Sequence, residues 1–101
     1  MEKKTPHYTL NAIKAVVSIN GFNAFTYTAR RGALALGLSS AMAVEVVLDL
    51  SPRQFYKSMT TYDDHTVWQD VYHARCPDGR MAYIKITLRD DGAVVIQFKE
   101  L

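Results

Sequence analysis

Tyr83-Ile84-Lys85-Ile86-Thr87-Leu88-Arg89, then Asp90-Asp91-Gly92, then Ala93-Val94-Val95-Ile96-Gln97-Phe98-Lys99: the way the two outer runs face each other decides the fold. Gly92 supplies the positive φ that a three-residue hairpin loop needs. With that loop, Arg89 faces Ala93, and Ile84, Ile86 and Leu88 face Phe98, Ile96 and Val94. All of these apolar side chains then share one side of the sheet, as a buried face demands. A two-residue loop would set Ile86 against Gln97, and a sheet with one buried face rejects that slip. Pro77-Asp78-Gly79 is a second turn signal, so residues 67–75, 81–89 and 93–99 read as three antiparallel strands. The same register puts His73 opposite Tyr83 and Gln69 opposite Thr87. One face is apolar, and the other carries Gln69, His73, Tyr83, Lys85, Gln97 and Lys99. Asp70 falls among the apolar side chains, where it is expected to lie near an edge or to pair with a cation.

Upstream of these strands the periodicity becomes helical. Residues 9–19 form a helix in this reading, capped by Thr9 or Asn11, with Leu10, Ile13 and Val17 on one face and Asn20-Gly21 at its end. Residues 22–27 alternate well enough for a short strand. Thr28 caps a helical turn through Ala29–Leu36, closed by Gly37. Ser39 or Ser40 caps the next helix, which places Met42, Val46 and Val47 on one side and stops before Ser51-Pro52. Ser51, Pro52 and Gln54 make a capping-box pattern, which opens a short helix through Tyr56. Helices followed by an antiparallel meander predict an α+β fold, N-terminal helices packed on a mainly antiparallel sheet. A chain of 101 residues holds one such domain, residues 1–101, and not two.

Composition narrows the function classes. The charged fraction of 22% and the hydrophobic fraction of 49% suit a folded protein and not a disordered one. No apolar run approaches the roughly 20 residues of a membrane span. The start, Met1-Glu2-Lys3-Lys4-Thr5-Pro6-His7, is basic but has no apolar stretch behind it, so a cytoplasmic protein with no membrane partner is expected. The single Cys76 fits a reducing compartment and reads as a small residue beside a turn. Net charge is only +2, so the placement of the cations matters more than their sum. Lys57, Arg75, Arg80, Lys85, Arg89 and Lys99 all lie in the C-terminal half.

The chemistry concentrates in Phe55-Tyr56-Lys57-Ser58-Met59-Thr60-Thr61-Tyr62-Asp63-Asp64-His65-Thr66-Val67-Trp68-Gln69-Asp70-Val71-Tyr72. This run is too polar for a core segment and too aromatic for an ordinary loop. Together with the polar sheet face it offers what RNA cleavage without a metal requires. A base takes the 2′-hydroxyl proton, cations stabilise the charge on the phosphate, and an acid protonates the departing 5′-oxygen. Lys57, Tyr83 and Lys99 are the favoured groups, with Gln69 orienting phosphate or base. His65, His73 and Arg75 stand second. A cation opposite Tyr83 is expected to favour its phenolate. Taken singly, each group has a plainer reading: Tyr83–Lys99 as cross-strand packing, Lys57 as a solvated charge, Gln69 as a surface amide. Trp68, Tyr62 and Tyr72 read first as core or edge aromatics. Asp63-Asp64-His65 has the residue types of a metal site, but adjacent ligands in a loop rarely close one, so a solvated loop is expected and no metal or cofactor.

Residues 55–75 also resemble, almost word for word, the signature of the motility quorum-sensing regulator (MqsR) family of bacterial toxins. The likeness continues through Tyr83-Ile84-Lys85-Ile86-Thr87, the ending Val95-Ile96-Gln97-Phe98-Lys99-Glu100 and the start Met1–His7. The resemblance implies a RelE-like α+β domain and a type II toxin–antitoxin system. It implies a metal-independent mRNA interferase, an endoribonuclease that cuts at GCU-like motifs and halts translation and growth, with roles in stress, biofilm and persistence. The catalytic groups it implies are Lys57, Gln69, Tyr83 and Lys99. Tyr56, Met59, His65, His73, Arg75 and Lys85 are the added candidates for RNA binding. Implied partners are mRNA and a zinc-binding, MqsA-like antitoxin through which the complex binds operator DNA. The turn between residues 75 and 83, His73-Ala74 and Asp90-Asp91 depart from the family pattern. The alternative reading is a non-catalytic RNA- or antitoxin-binding regulator of the same fold.

Overall fold

The computed structural model describes residues 1–101. In chain order the elements are β1 (Glu2–Lys3), α1 (Leu10–Asn20), α2 (Tyr27–Ala35), α3 (Ser40–Leu48), β2 (Phe55–Thr60), β3 (Trp68–Arg75), β4 (Met81–Ile86) and β5 (Val95–Glu100). Single turns of 3-10 helix, Gly21–Ala24 and Pro52–Gln54, join α1 to α2 and α3 to β2. The five strands form one antiparallel sheet whose spatial order is the sequence order. The fold is α+β, with the helices on one face of that sheet.

Caps explain where the helices begin. Thr9 Oγ1 accepts from Ala12 N, and Ser39 Oγ accepts from Met42 N. α2 starts two residues earlier than the Thr28 cap predicts, because Thr26 is held from both sides. Its N–H donates to Val95 O, which keeps it extended, and its Oγ1 accepts from Ala29 N. The strand expected over 22–27 is a 3-10 turn, and only Phe25 forms a bridge, parallel to Val95. Phe25 N donates to Phe22 O at 3.1 Å, closing the turn, and Ala24 and Phe25 both enter the core. On α3, Ala43, Val46 and Val47 turn inward, while Met42 is 38% exposed and leaves the face assigned to it.

The core lies between helices and sheet. Ile13 and Val17 from α1, Ala29 and Ala33 from α2, and Val46 and Val47 from α3 meet Tyr72, Ile84, Ile86 and Phe98. Gly32 lets α2 approach β5 closely: a Cβ there would sit 1.8 Å from the Phe98 carbonyl oxygen. Arg80 ties the β3–β4 hairpin to the end of α2, donating to the Leu36 carbonyl and pairing with Asp78 at 2.7 Å.

The hairpin registers agree with the alternation argument, with one change. His73 pairs with Tyr83, Ile84 with Phe98, Lys85 with Gln97 and Tyr83 with Lys99. Beyond Lys85 a bulge shifts Ile86 from Ile96 to Val95. Thr87 N then donates to Val94 O, Thr87 is buried, and Leu88 is 40% exposed instead of facing Val94 in the core. The hydroxyl of Thr87 makes this burial tolerable, since it bonds to Trp68 O at 2.8 Å and to Tyr8 Oη at 2.9 Å.

β2 is a strand from Phe55 onward, so the helix expected through Tyr56 stops at Gln54. The capping box is present, with Gln54 Oε1 accepting from Ser51 N at 2.9 Å, but it closes only one turn. Asp70 neither lies at an edge nor meets a cation. Its buried carboxylate accepts from His7 N twice at 3.0 Å and from Tyr8 N at 2.9 Å. These charge-assisted bonds pin the chain just after β1. Asp70→Ala leaves both donors without their acceptor and is expected to lower stability by about 3 kcal/mol, roughly 15 °C in Tm. A thermal melt checks it.

Candidate active site

Alternation fixes which side chains reach the face of the sheet opposite the helices. Three cross-strand rows result. Glu2, Met59 and Gln69 form the first, and Lys57, Val71, Lys85 and Gln97 the second. His73, Tyr83 and Lys99 form the third. Val71 is the apolar centre of this face. It is fully buried yet outside the main core, between the aliphatic stems of Lys57 and Lys85.

A bulge adds a further group. The ladder runs from Phe55–Tyr72 to Lys57–Val71, so Tyr56 is the extra residue and shares the face of Lys57. Its ring stacks on His73 with centroids 4.3 Å apart, and His73 lies 6.0 Å from Tyr83. Lys4 Nζ and Lys57 Nζ sit 5.4 Å and 5.6 Å from the Tyr56 ring. Lys99 Nζ and Lys85 Nζ sit 5.2 Å and 5.9 Å from the Tyr83 ring. Cations thus bracket a short aromatic ladder. His73 Nε2 is buried there without a hydrogen-bond partner.

The site's proton affinities follow from these neighbours. Burial holds the Tyr83 phenol above its usual value, and the nearby Lys57 ammonium only partly opposes this. The phenolate expected from the pairing with Lys99 is therefore disfavoured: Lys99 lies over the ring, and burial is the larger effect. Lys85 is shifted down, first by burial and then by Lys99 and Lys57. Lys57 is shifted up because it donates to Glu2 Oε1 at 2.6 Å.

Lys57, Gln69, Tyr83 and Lys99 thus sit on β2, β3, β4 and β5 and face the same way. Tyr56, Met59, His73 and Lys85 join them. His65, in the loop after β2, reaches the rim. It lines an open cavity of about 410 Å³ together with Met59, Tyr62, Gln69 and Lys85. Arg75 stands apart, its guanidinium donating to Gly79 O at 3.1 Å in the hairpin turn. The Asp63-Asp64-His65 loop is exposed, and Asp64 Oδ1 accepts from Thr66 N and Oγ1. The sequence alone does not mark Glu2 and Lys4 as site residues. A two-residue strand has no periodicity to betray it, and the N-terminal charges read as a basic tail.

Such a face can grip a polyanion, stack an unpaired base and deliver a proton from Tyr83. Comparison with known proteins points the same way. An mRNA interferase toxin MqsR from Escherichia coli (strain K12) is 44% identical over 100 residues, covering 99% of each chain. The profile of the family described as "Motility quorum-sensing regulator, toxin of MqsA" matches residues 5–100, so this chain belongs to the MqsR toxin family.

Proposed function

We propose that this chain is the toxin of a type II toxin–antitoxin system and an endoribonuclease that cuts mRNA. The observation that carries the proposal is the gathering of Lys57, Lys85 and Lys99 around Tyr83 on the open face of the sheet. The 44% identity to a relative named as an mRNA interferase supports it.

In this reading the scissile phosphate lies over Val71, between Lys57 and Lys99. Their charges stabilise the pentacoordinate transition state, with Lys85 assisting. Tyr83, kept protonated by burial, donates to the 5′-oxygen as it leaves. Gln69 orients the phosphate or the neighbouring base. Tyr56 offers its exposed ring to an unpaired base, on a stack backed by His73. The cavity formed by Met59, His65 and Gln69 suits a second base and would set a GCU-like preference. Arg75 reaches RNA only beyond this centre. Every group in the scheme is a side chain, so the reaction is assigned no metal or cofactor. The partner is an antitoxin of the MqsA kind, for which we propose a zinc-binding domain and binding of the complex to operator DNA. We place the toxin in the cytoplasm with its mRNA substrate.

The test is incubation of purified protein with a defined RNA in excess chelator, followed by mapping of the ends. Cuts at a few fixed sites, leaving 2′,3′-cyclic phosphate or 3′-phosphate and 5′-hydroxyl ends, are the expected result. Folded protein that retains RNA on a filter but leaves it intact would instead identify a non-catalytic regulator.

A further inference from the structure

We propose that Glu2, on the two-residue strand β1, is the general base that takes the 2′-hydroxyl proton, and that Lys57 holds it in place. This rests on the ribonuclease reading and fills the one role left vacant in it.

Cleavage by the 2′-hydroxyl needs a proton acceptor close to the scissile phosphate. Lys57 and Tyr83 are both held in their protonated forms by their surroundings. Gln69 does not titrate. His73 lies beneath Tyr56 with Nε2 closed off from solvent. Glu2 is the one carboxylate carried by a strand on this side of the sheet. Asp70 and Glu100 alternate to the other side, and the remaining acids lie on α3, in the loops or in the turns.

Geometry brings Glu2 to the right place. β1 pairs Glu2 with Met59, beside Gln69 in the same row. Thr60 N donates to Met1 O, and Asp70 fixes His7 and Tyr8, so the strand is held on both sides of Glu2. Its carboxylate meets Lys57 Nζ at 2.6 Å, and its side chain is 56% exposed, open to a substrate. The charged groups facing it are Lys57, Lys4 and the terminal amine, all cationic, so it is ionised throughout the neutral range.

The step balances without an added reactant. The 2′-O–H bond breaks and its proton passes to a Glu2 oxygen. The O2′–P bond forms as the P–O5′ bond breaks. O5′ takes a proton from the Tyr83 phenol and leaves as a hydroxyl, while the other fragment keeps a 2′,3′-cyclic phosphate. Glu2 then gives its proton to solvent water, and the Tyr83 phenolate takes one back from it.

Glu2→Gln tests the assignment, because the amide oxygen still accepts from Lys57 while its basicity is gone. The expected result is a loss of about 100-fold or more in kcat, with RNA affinity unchanged or tighter, since a negative charge has been removed. The pH profile should change form. The Lys57 ammonium holds the carboxylate below its ordinary range, so the wild-type rate is flat from pH 6 to 8. The variant must rely on hydroxide, and its rate rises about tenfold per pH unit. Cleavage by the variant at or above the wild-type rate would overturn the proposal. So would a slower rate with an unchanged pH profile, which would make Glu2 a positioning residue for Lys57. In each of these cases the ribonuclease reading stands. A wild-type protein that binds RNA without cutting it would overturn both.

Discussion

Lys57→Met is expected to lower kcat/KM for RNA cleavage by about 1,000-fold while leaving the melting temperature within a few degrees of wild type. The substitution is chosen for what it retains. A methionine keeps most of the stem that helps cover Val71, so the sheet loses little packing. What disappears is the ammonium group. The phosphate loses a preorganised charge, an effect worth about 3–4 kcal/mol of barrier where one such group is removed from an active site. Glu2 also loses its 2.6 Å partner and turns a bare negative charge toward the RNA. Both consequences point the same way, so kcat falls and KM rises. Single-turnover cleavage of a short RNA, with a thermal melt beside it, measures the two parts. A variant that cuts normally would remove Lys57 from the site.

Gly32→Ala should strongly destabilise the folded state, although alanine is the better helix former by about 1 kcal/mol. In an isolated α2 the change would stabilise. In the protein the new methyl lands 1.8 Å from the Phe98 carbonyl oxygen, on backbone that cannot rotate away. α2 must lift from β5, opening the contact between Ala29, Ala33 and Phe98 in the core. Overpacking against backbone is expected to cost about 3–5 kcal/mol, a large share of the 5–15 kcal/mol that holds a domain together. Denaturant titration reads this directly, and a midpoint at or above wild type would mean that helix and strand can separate freely. Because Phe98 precedes Lys99, even the folded fraction should cut RNA poorly.

The sequence made some elements legible and concealed others, for physical reasons. β3, β4 and most of β5 could be registered by hand, because turn chemistry and alternating apolar residues agree there. That register alone set Gln69, Tyr83 and Lys99 on one face. Lys57 stood out by its charge and not by its place in a register, since β2 hides its periodicity. The bulge puts Tyr56 and Lys57 on the same side, and the inward position is occupied by Ser58, a fully buried hydroxyl that no hydropathy pattern marks. The capping box just before it pulled the reading toward helix. Asp70 was seen to be misplaced among apolar side chains. Its actual partners, the His7 and Tyr8 amides, lie more than sixty residues away and carry no side-chain signature. The second bulge, at Ile86, exchanged Thr87 for Leu88 in the interior, and alternation cannot anticipate such a skip.

The sheet is laid down in sequence order, and each of its five strands carries part of the polar face: Glu2 on the first, Lys57, Gln69 and Tyr83 on the next three, Lys99 on the last. A ribosome releases these strands one at a time, from the N-terminus. The strand bearing Lys99 is the last of them to emerge, and α2 has nothing to seat Gly32 against until it does. A partly synthesised chain thus has cations and rings but no assembled site. Assembly of the polar face therefore waits for the final strand to join the sheet.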